Sequence, residues 1–294
     1  MSFKKYCLSV YNRIKKLFSK RQTKIIANIV QLAENELLAG RTALITGGTS
    51  GIGFSIADAM LRAGADAVII TGRKQENLSE AVKKLIADNV DRKNRVFSQV
   101  MDIRDVSSFE SCLAEIQKKI GNRKISILCN NAGVQGARFG AAQECDFDNV
   151  MSTNYKGVFF LSQLFARYMI DNKISGNILN IASSSSIRPS GSGYALSKAC
   201  IKELTEGMAK CLIPHGIVVN GIAPGPTATP LMNKDFTSTI EHPTNPSGRF
   251  ALPEEIAQMA VILTSGMGRM IVGSLVYMTG GAGNITYDDS KYTF

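Results

Sequence analysis

The sequence of 294 residues contains no tryptophan and only two histidines. His215 and His242 both stand in loop-like contexts, so we do not expect a metal site or a nucleophile built on histidine. No two of the six cysteines form a Cys-x-x-Cys pair, and buried reduced thiols of a cytosolic protein are expected instead of disulfides or zinc ligands. Four of the cysteines lie within apolar helix or strand patterns: Cys112, Cys129, Cys200 and Cys211.

Long hydrophobic runs are also missing. No apolar run reaches the roughly 18 residues of a membrane span, and no secretory hydrophobic region precedes a small-residue cleavage site. A cytoplasmic location is therefore expected. Residues 1–40 carry eight lysines and arginines against two glutamates, which is more than half of the net charge of +10. Because the rest of the chain is nearly balanced, no nucleic-acid partner is expected.

The basic N-terminal region is predicted to be an amphipathic helical extension over residues 1–39. Within 1–33, apolar residues recur at helical spacing between lysines and arginines. Three interpretations remain: packing on its own domain or a sister subunit, contact with an anionic membrane surface, or an organellar transit peptide. Packing or peripheral membrane contact is favoured, because the usual serine and arginine enrichment of transit peptides is missing.

From residue 40 onward, short apolar segments alternate with helical segments. Strands are predicted over 41–46, 67–70, 96–101, 125–129, 177–182, 217–222 and 274–278. Helices are predicted after the first strand to about residue 63, then over 75–88, 105–120 and 146–171, from Tyr194, and over 253–265. This alternation predicts an α/β protein with one doubly wound, parallel, seven-stranded Rossmann-type sheet and a single domain over 40–294.

A glycine-rich segment, Thr46-Gly-x-x-x-Gly51-x-Gly53, lies between the first strand and the first helix. Gly47 permits a sharp turn, Gly51 lets the backbone approach a pyrophosphate, and Gly53 lets the helix sit close to the sheet. The helix N-terminus then offers amide donors and a positive dipole to the phosphates. The alternative is a glycine-rich turn with no ligand.

The second strand ends in Thr71-Gly72-Arg73-Lys74, with no acidic residue to hold a ribose 2′-hydroxyl. An arginine can bind a 2′-phosphate through several donors. This pair of cations favours NADP(H) over NAD(H). The alternative is that Arg73 and Lys74 are two solvated surface charges with no ligand.

Tyr194 and Lys198 are four residues apart, which places them one turn apart on one helical face. A nearby ammonium favours phenolate, so the pKa of Tyr194 is expected below its usual value of about 10. Such a phenol can pass a proton near neutral pH. A serine hydroxyl at the end of the preceding strand is placed to hold a carbonyl or alcohol oxygen beside it. The spacing alone also occurs by chance on surface helices.

Taken in order, these motifs resemble the short-chain dehydrogenase/reductase family over residues 40 to 283, and most of all its 3-oxoacyl-(acyl-carrier-protein) reductases. The matching elements are Thr46-Gly-x-x-x-Gly-x-Gly53, Asp102, Asn130-Asn-Ala-Gly133, Asn154, Ser183, Tyr194-x-x-x-Lys198 and Pro224-Gly225.

The resemblance implies four catalytic residues. Tyr194 would be the general acid in reduction and the base in oxidation. Lys198 would hold the ribose hydroxyls of the nicotinamide and lower the pKa of Tyr194. Ser183 would hydrogen-bond the substrate oxygen, and Asn154 would anchor a water that relays protons to Lys198.

It also implies the contacts of the nicotinamide cofactor. Asp102 would contact adenine, Pro224 and Gly225 would border the nicotinamide, and Thr229 would reach its carboxamide. The full predicted cofactor set is Thr46, Gly47, Thr49, Ser50, Gly51, Ile52, Gly53, Arg73, Lys74, Asp102, Ile103, Asn131, Ala132, Gly133, Tyr194, Lys198, Pro224, Gly225 and Thr229. No metal is expected.

Three features leave details open. The loop from Ser183 to Tyr194 is shorter than is common in the family, so Ser184 or Ser185 are alternative donors. Thr279 replaces an Asp that is usual before the last Gly-Gly, which leaves the subunit packing near 280–283 open. The substrate pocket is expected to be formed by residues 135–143, 188–192 and a lid over 226–250. Its two arginines either meet an anionic substrate or are simply exposed: Arg138 and Arg188.

The expected function is hydride transfer between NADP(H) and a small-molecule carbonyl or secondary alcohol, in a homodimer or homotetramer. The alternatives are a sugar or small polyol dehydrogenase of the same family and a non-catalytic NADP-binding scaffold attached through its basic extension. Enoyl reductases usually have a wider Tyr–Lys spacing, and sugar epimerases and dehydratases usually carry a longer C-terminal domain.

Overall fold

The computed structural model describes residues 36–87, 89–189, 191–232 and 240–286. The amphipathic helices predicted within 1–33 lie outside the described residues. The last part of the predicted extension is described, and there Leu38 is fully buried in the main core. Its amide donates to the Ala63 carbonyl at 2.8 Å, so this residue packs with the α/β domain.

The described residues contain seven strands that pair in parallel. They are β1 (Thr42–Thr46), β2 (Ala67–Gly72), β3 (Val96–Val100), β4 (Ile125–Asn130), β5 (Asn177–Ile181), β6 (Val218–Pro224) and β7 (Leu275–Met278). Their order across the sheet is β3-β2-β1-β4-β5-β6-β7. The chain moves outward from β1 in one direction and then from β4 in the other. Ligands of such sheets bind beyond the carboxyl ends of the strands at this switch point.

Helices cover both faces of the sheet, which confirms the predicted doubly wound fold. They are α1 (Gly51–Arg62), α2 (Gln75–Ala87), α3 (Phe109–Ile120), α4 (Glu144–Met151), α5 (Gly157–Asp171), α6 (Gly193–Leu212) and α7 (Pro253–Thr264). Alternate strand residues face opposite sides. Ile45 therefore joins the core cluster under α1, α2 and α7, and Leu44 joins the cluster under α3, α5 and α6.

The one long helix predicted over 146–171 is interrupted. Between α4 and α5 the residues Ser152–Lys156 form a π-helical turn, and Asn154 is buried within it. At Gly157 the helix meets the Ile103 carbonyl so closely that an added Cβ would overlap it. Wide turns of this kind often occur at functional sites because they redirect a side chain out of the regular helical pattern.

The prediction of buried thiols is only partly right. Cys112 and Cys129 are buried and free, but Cys200 is half-buried, and Cys145 and Cys211 are exposed. Cys211 lies on an outward face of α6, so an apolar sequence context did not place it in the core. Within the described ranges no group of three or more metal-binding side chains comes together. None of the helices there is long and apolar enough to cross a membrane.

Candidate active site

A cleft of about 890 Å³ opens at the carboxyl edge of the sheet. The segments that follow β1, β2, β3, β4, β5 and β6 all contribute to it. Of the residues predicted to form the site, only Gly53 and Asn154 do not line this cleft. The motifs that are spread over the sequence therefore meet in one place.

The glycine turn after β1 forms the floor of the cleft. Gly47 has φ +64°, and an added Cβ there would lie 2.9 Å from the Ala132 Cα. A Cβ on Gly53 would overlap the Asn131 side chain and the Gly47 carbonyl, which explains why α1 can pack so close to the sheet. Helix α1 begins at Gly51 and has no acidic residue in its first turn. Its N-terminus therefore offers free amide groups and a positive dipole to an anion.

Two predicted cofactor residues use their polar side chains within the protein. The Thr46 hydroxyl accepts hydrogen bonds from the Asn131 and Ala132 amides, both at 3.0 Å. The Asn131 side-chain amide donates to the carbonyls of Thr46 at 2.9 Å and Gly47 at 3.1 Å. These bonds join the ends of β1 and β4, so the two side chains shape the floor of the cleft.

Helix α6 presents Tyr194 and Lys198 on the wall above that floor. The Ser192 hydroxyl caps the helix by accepting from the Ala195 amide at 3.2 Å. Lys198 is 5% exposed, its Nζ donates to the Ile181 carbonyl at 2.7 Å, and Nζ lies 5.8 Å from the Tyr194 ring centroid. Burial disfavours the ammonium form and lowers the pKa of Lys198 to about 8.

The expected fall in the pKa of Tyr194 is wrong for this structure. Burial raises the pKa of the phenol above its usual value, and a hydrogen bond with the Ser183 hydroxyl acts in the opposite direction but is the smaller effect. The prediction considered the charge of Lys198 and left out the loss of solvent around both groups. Since Lys198 points its ammonium at the Ile181 carbonyl, it stabilises a phenolate less than the spacing indicated.

Of the three candidate serines, Ser183 interacts with the phenol. It follows β5 directly, and its hydroxyl accepts from the Ser185 amide at 3.1 Å. Ser185 lies beside it, with the two hydroxyls 3.3 Å apart. The Ser184 hydroxyl instead accepts from Arg188 Nη2 at 3.4 Å. All three line the cleft, but of these three hydroxyls only that of Ser183 interacts with Tyr194.

Asn154 lies behind the cleft wall. Its Oδ1 accepts from the Val134 amide at 2.8 Å, and its Nδ2 donates to the Val134 carbonyl at 2.9 Å and to the Ser197 hydroxyl at 3.1 Å. Ser197 donates in turn to the Tyr194 carbonyl at 2.7 Å. Asn154 thus ties the loop after β4 to helix α6. A Cβ on Gly133 would lie 3.5 Å from Asn154 Oδ1 and 3.7 Å from Lys198 Nζ, so the two side chains approach each other around this glycine.

Asp102 is paired with Arg104, a cleft residue that sequence reasoning missed. Arg104 Nη2 lies 2.6 Å from Asp102 Oδ2, and its Nε donates to both carboxylate oxygens, at 3.0 and 3.1 Å. The hydrogen bonds from Arg104, with a smaller contribution from the charge of Arg73, hold the pKa of Asp102 below its usual value. Arg104 also donates to the Asn149 side chain at 3.0 Å. Its position two residues after Asp102 was the only signal in the sequence.

The remaining predicted residues surround the two ends of the cleft. Thr229 is buried, and its methyl group lies 3.3 Å from where a Cβ on Gly51 would be. Parts of the three segments predicted to form the substrate pocket line the cleft, but residues 233–239 of the predicted lid lie outside the described residues. The lining residues of these segments include Gln135, Arg138, Arg188, Ser192, Thr227, Leu231, Met232 and His242.

Residues 41–239 match the family model described as short chain dehydrogenase. A gluconate 5-dehydrogenase from Gluconobacter oxydans is 36% identical over 252 residues, covering 83% of this chain and 95% of the relative. A 3-oxoacyl-[acyl-carrier-protein] reductase from Thermotoga maritima is 35% identical over 250 residues, covering 83% and 98%.

Solved structures show the same fold. A putative gluconate dehydrogenase from Agrobacterium tumefaciens has a TM-score of 0.75 at 26% identity and covers 85% of this chain and 98% of its own. A 3-ketoacyl-(acyl-carrier-protein) reductase from Brucella melitensis, complexed with NADH, has a TM-score of 0.74 at 26% identity and covers 83% and 98%.

Proposed function

Because the chain belongs to the short-chain dehydrogenase/reductase family of oxidoreductases, we propose that it is an NADP(H)-dependent enzyme that transfers a hydride between the nicotinamide and a carbonyl or secondary alcohol. The observation that carries the proposal is the meeting of Ser183, Tyr194 and Lys198 on one wall of the cleft, above the glycine turn. A non-catalytic scaffold would not need this arrangement.

The residues of the cleft fit a dinucleotide. The close packing at Gly47 and Gly53 and the N-terminus of α1 form a cradle for a pyrophosphate. A nicotinamide nucleotide bound there supplies or accepts the hydride. The predicted contacts of the whole cofactor set, including Asp102 near adenine and Pro224, Gly225 and Thr229 near the nicotinamide, belong to this proposal.

The protein's own part is to bind the substrate oxygen and to move one proton. The Ser183 hydroxyl donates to that oxygen, and in reduction the Tyr194 phenol gives it the proton while the adjacent carbon gains the hydride. In oxidation the same phenol takes the proton back. Because burial raises the pKa of Tyr194, the phenol is protonated at neutral pH, which is the form that reduction needs. Lys198 binds the ribose hydroxyls, and Asn154 anchors a water that relays protons to it.

The preference for NADP(H) is supported by the two cations at the end of β2. Arg73 and Lys74 are exposed on the rim of the cleft. The Brucella relative was solved with NADH, so these cations and not the family carry the assignment. The test is to compare KM for NADPH with KM for NADH. We expect the lower KM for NADPH, and a lower KM for NADH would refute the assignment.

By likeness to the relatives described above, we propose two substrate classes: 3-oxoacyl groups, and sugar acids or small polyols. The polar side chains at the substrate end, among them Gln135, Arg138 and Arg188, favour the second class. Oxidation of NADPH should therefore be followed against a panel of 3-oxoacyl thioesters, neutral ketoses and keto sugar acids. We expect turnover of at least one class. NADPH binding without turnover of any carbonyl would favour the scaffold instead.

A homo-oligomer, dimer or tetramer, is also proposed. Helices α5 and α6 expose Phe159 (37%) and Leu196 (45%), and an apolar groove of about 780 Å³ runs between them past Leu204 and Met208. Light scattering should show a mass above that of one chain, and Phe159→Glu should lower it. The cytoplasmic location and the contact of residues 1–33 with other protein or a membrane surface stay predictions.

A further inference from the structure

A histidine stands on the wall of the cleft. Both histidines of the chain are among the described residues, and His242 lines the cleft whereas His215 does not. His242 lies after β6 on a hairpin formed by residues 240–251. Its amide donates to the Gly248 carbonyl at 2.9 Å, and the Phe250 amide donates to the carbonyl of residue 240 at 2.7 Å. The backbone around His242 is therefore held by hydrogen bonds across the hairpin.

The hairpin is attached to the α/β domain at both of its ends. At its base, the Ala251 amide donates to the Pro226 carbonyl at 2.8 Å, and the Ala228 amide donates to the Ala251 carbonyl at 2.9 Å. Pro226 comes directly after the Pro-Gly pair that is expected to border the nicotinamide. At the tip, the buried Asn245 side chain donates to the Thr279 carbonyl at 3.2 Å. These bonds fix the backbone of His242 near the proposed nicotinamide site.

Two neighbours orient the imidazole ring of His242. The ring meets the Phe250 ring edge to face, with centroids 4.5 Å apart. Because Phe250 is buried, it gives the imidazole a fixed surface to pack against. Nδ1 lies 3.2 Å from the Thr244 hydroxyl. Nε2 makes no hydrogen bond with any of the described residues, so it is the ring atom left for a ligand.

A second polar side chain comes from the loop after β4. Gln135 lines the cleft, and its Nε2 donates to Met232 Sδ at 3.4 Å. This bond joins the loop to the 3₁₀ turn Pro230–Met232, which follows β6 like the hairpin of His242. Because the amide nitrogen faces the sulfur, Oε1 is the atom that remains for a ligand, and it can only accept. Its partner must therefore be a donor.

These two side chains favour a hydroxyl group as their ligand. A hydroxyl both donates and accepts hydrogen bonds. It therefore suits Nε2 in either tautomer of His242, and it can donate to Oε1 of Gln135. The carbonyl of a thioester only accepts, so it would leave the Gln135 oxygen without a partner.

We propose that His242 and Gln135 determine substrate specificity by binding a hydroxyl group of the substrate on a carbon close to the reacting one. The reacting oxygen itself stays with Ser183 and Tyr194. This inference rests on the proposed function and narrows its substrates to hydroxy ketones and polyols, including sugar acids, in preference to 3-oxoacyl groups.

The kinetic test uses two pairs of ketones in which a methyl group replaces a hydroxyl. They are dihydroxyacetone with 3-pentanone, and 4-hydroxy-2-butanone with 2-pentanone. For each pair, kcat/KM with NADPH gives a ratio of hydroxy ketone to plain ketone. Because a hydroxyl also changes the reactivity of the ketone, the quantity to compare is this ratio in the wild type and in each variant.

His242→Leu should lower the ratio of at least one pair by about fivefold or more, mainly through KM, since a neutral hydrogen bond is lost. His242→Gln keeps a polar amide on the side chain and should restore part of the loss. Gln135→Met removes the acceptor oxygen and should lower the ratio of the same pair. The matched control is His215→Leu, at an exposed position outside the cleft, which should leave both ratios unchanged.

NMR tests the binding without turnover. The chain has two histidines, so untagged protein with isotope-labelled histidine gives two ring signals, and His215→Gln assigns them. With NADP⁺ bound, a ketone cannot be reduced. Under these conditions a hydroxy ketone should shift the His242 signal, while 3-pentanone and 2-pentanone should not.

Equal losses for hydroxy and plain ketones in His242→Leu and Gln135→Met would overturn the inference, and so would a His242 signal that no hydroxy ketone shifts. If His242→Leu does not fold, Gln135→Met and the NMR experiment on the wild type decide. If no ketone of either pair and no other carbonyl is turned over, the proposed function is at fault, and the NMR signal of His242 then tests the inference by itself.

Discussion

The two halves of the cleft use positive charge in different ways. On the proposed cofactor side, Arg73 and Lys74 are exposed, and the Arg104 side chain is 41% exposed in its pair with Asp102. On the proposed catalytic side, Lys198 is 5% exposed and Ser183 is 9% exposed. Exposed charges are screened by water and salt, whereas buried charges interact strongly with their surroundings.

In the proposed function, the exposed charges set the preference between NADP(H) and NAD(H), and the less exposed groups take part in the proton transfer. Exposed cations can favour the nucleotide that carries an additional phosphate, because they attract that phosphate. Each exposed cation contributes only modestly to the binding free energy. Loss of water lowers the pKa of the buried Lys198 amine and raises the pKa of the phenol of Tyr194, which is half-buried. Substitutions on the catalytic side should therefore have larger effects than substitutions on the cofactor side.

The largest effect is expected from Tyr194→Phe. Removing the hydroxyl removes the proton donor, so kcat should fall by about 10³-fold or more, within the range of general acid–base catalysis. The Kd for NADPH, measured by fluorescence titration, should change by less than about twofold because the ring remains. Tyr277→Phe on β7, outside the cleft, is the matched control. Unchanged turnover in Tyr194→Phe would end the acid–base assignment.

The buried amine should be visible in the pH dependence of stability. The pKa of Lys198 is lowered from 10.5 to about 8 in the folded protein. Below about pH 8 folding must bury the ammonium, which opposes stability. As pH rises from about 8 towards 10.5, the folded protein loses this proton before the unfolded chain does, so Lys198 makes stability rise, by on the order of 3 kcal/mol in total.

Urea unfolding of the wild type and Lys198→Met between pH 7 and about 10 measures this contribution. As pH rises, the unfolding free energy of the wild type should increase relative to that of Lys198→Met. The exposed Lys83→Met on α2 should follow the wild type in parallel. A constant difference between wild type and Lys198→Met would mean that Lys198 is not buried as the structure shows.

A smaller effect is expected when the exposed cations after β2 are removed. Arg73→Ala with Lys74→Ala should lower the preference for NADPH over NADH by about 10- to 100-fold, because two contacts to the 2′-phosphate are lost. The kcat should stay close to that of the wild type at saturating NADPH. Lys83→Ala is the control for a general loss of positive charge. An unchanged ratio of kcat/KM values would show that these are only solvated surface charges.

The smallest effect is expected from Arg104→Gln. It would leave the Asp102 carboxylate without its partner, and the exposed negative charge should raise KM for NADPH by about two- to fivefold, as is usual for surface pairs. Asp102→Asn in the same chain should reverse most of the increase. A failure of this reversal would mean that Arg104 acts on the nucleotide directly and not through Asp102.

Much of the fold could be predicted from local patterns. The seven strands were predicted as short apolar runs with helices between them. At most strand and helix ends the observed bound differs from the predicted one by no more than one or two residues. The glycine turn was predicted because the backbone conformations that it requires depend only on residues adjacent in the chain. In contrast, the π-helical turn at Asn154 was missed, because the apolar spacing of residues 146–171 is helical and the close approach of Gly157 to the Ile103 carbonyl is a tertiary contact.

The sequence predicted which residues line the candidate site better than it predicted the contacts between them. Residues from six different strand ends line one cleft as expected. The pairing of Arg104 with Asp102 and the internal use of Thr46 and Asn131 could not be predicted, because they depend on which side chains meet across loops. The pKa of Tyr194 was predicted with the wrong sign because spacing shows a neighbouring charge but not the loss of solvent.

The sequence by itself determined the α/β architecture, the glycine turn and the helical spacing of Tyr194 and Lys198, since each depends on residues close together in the chain. Only the tertiary structure decided which serine meets the phenol, where Asn154 points and how far burial moves the two pKa values. It also joined the backbone at Arg138 to Ser192, the residue that caps α6. The physical reason is that burial and charge interactions depend on distance in space, and the sequence order does not contain that distance.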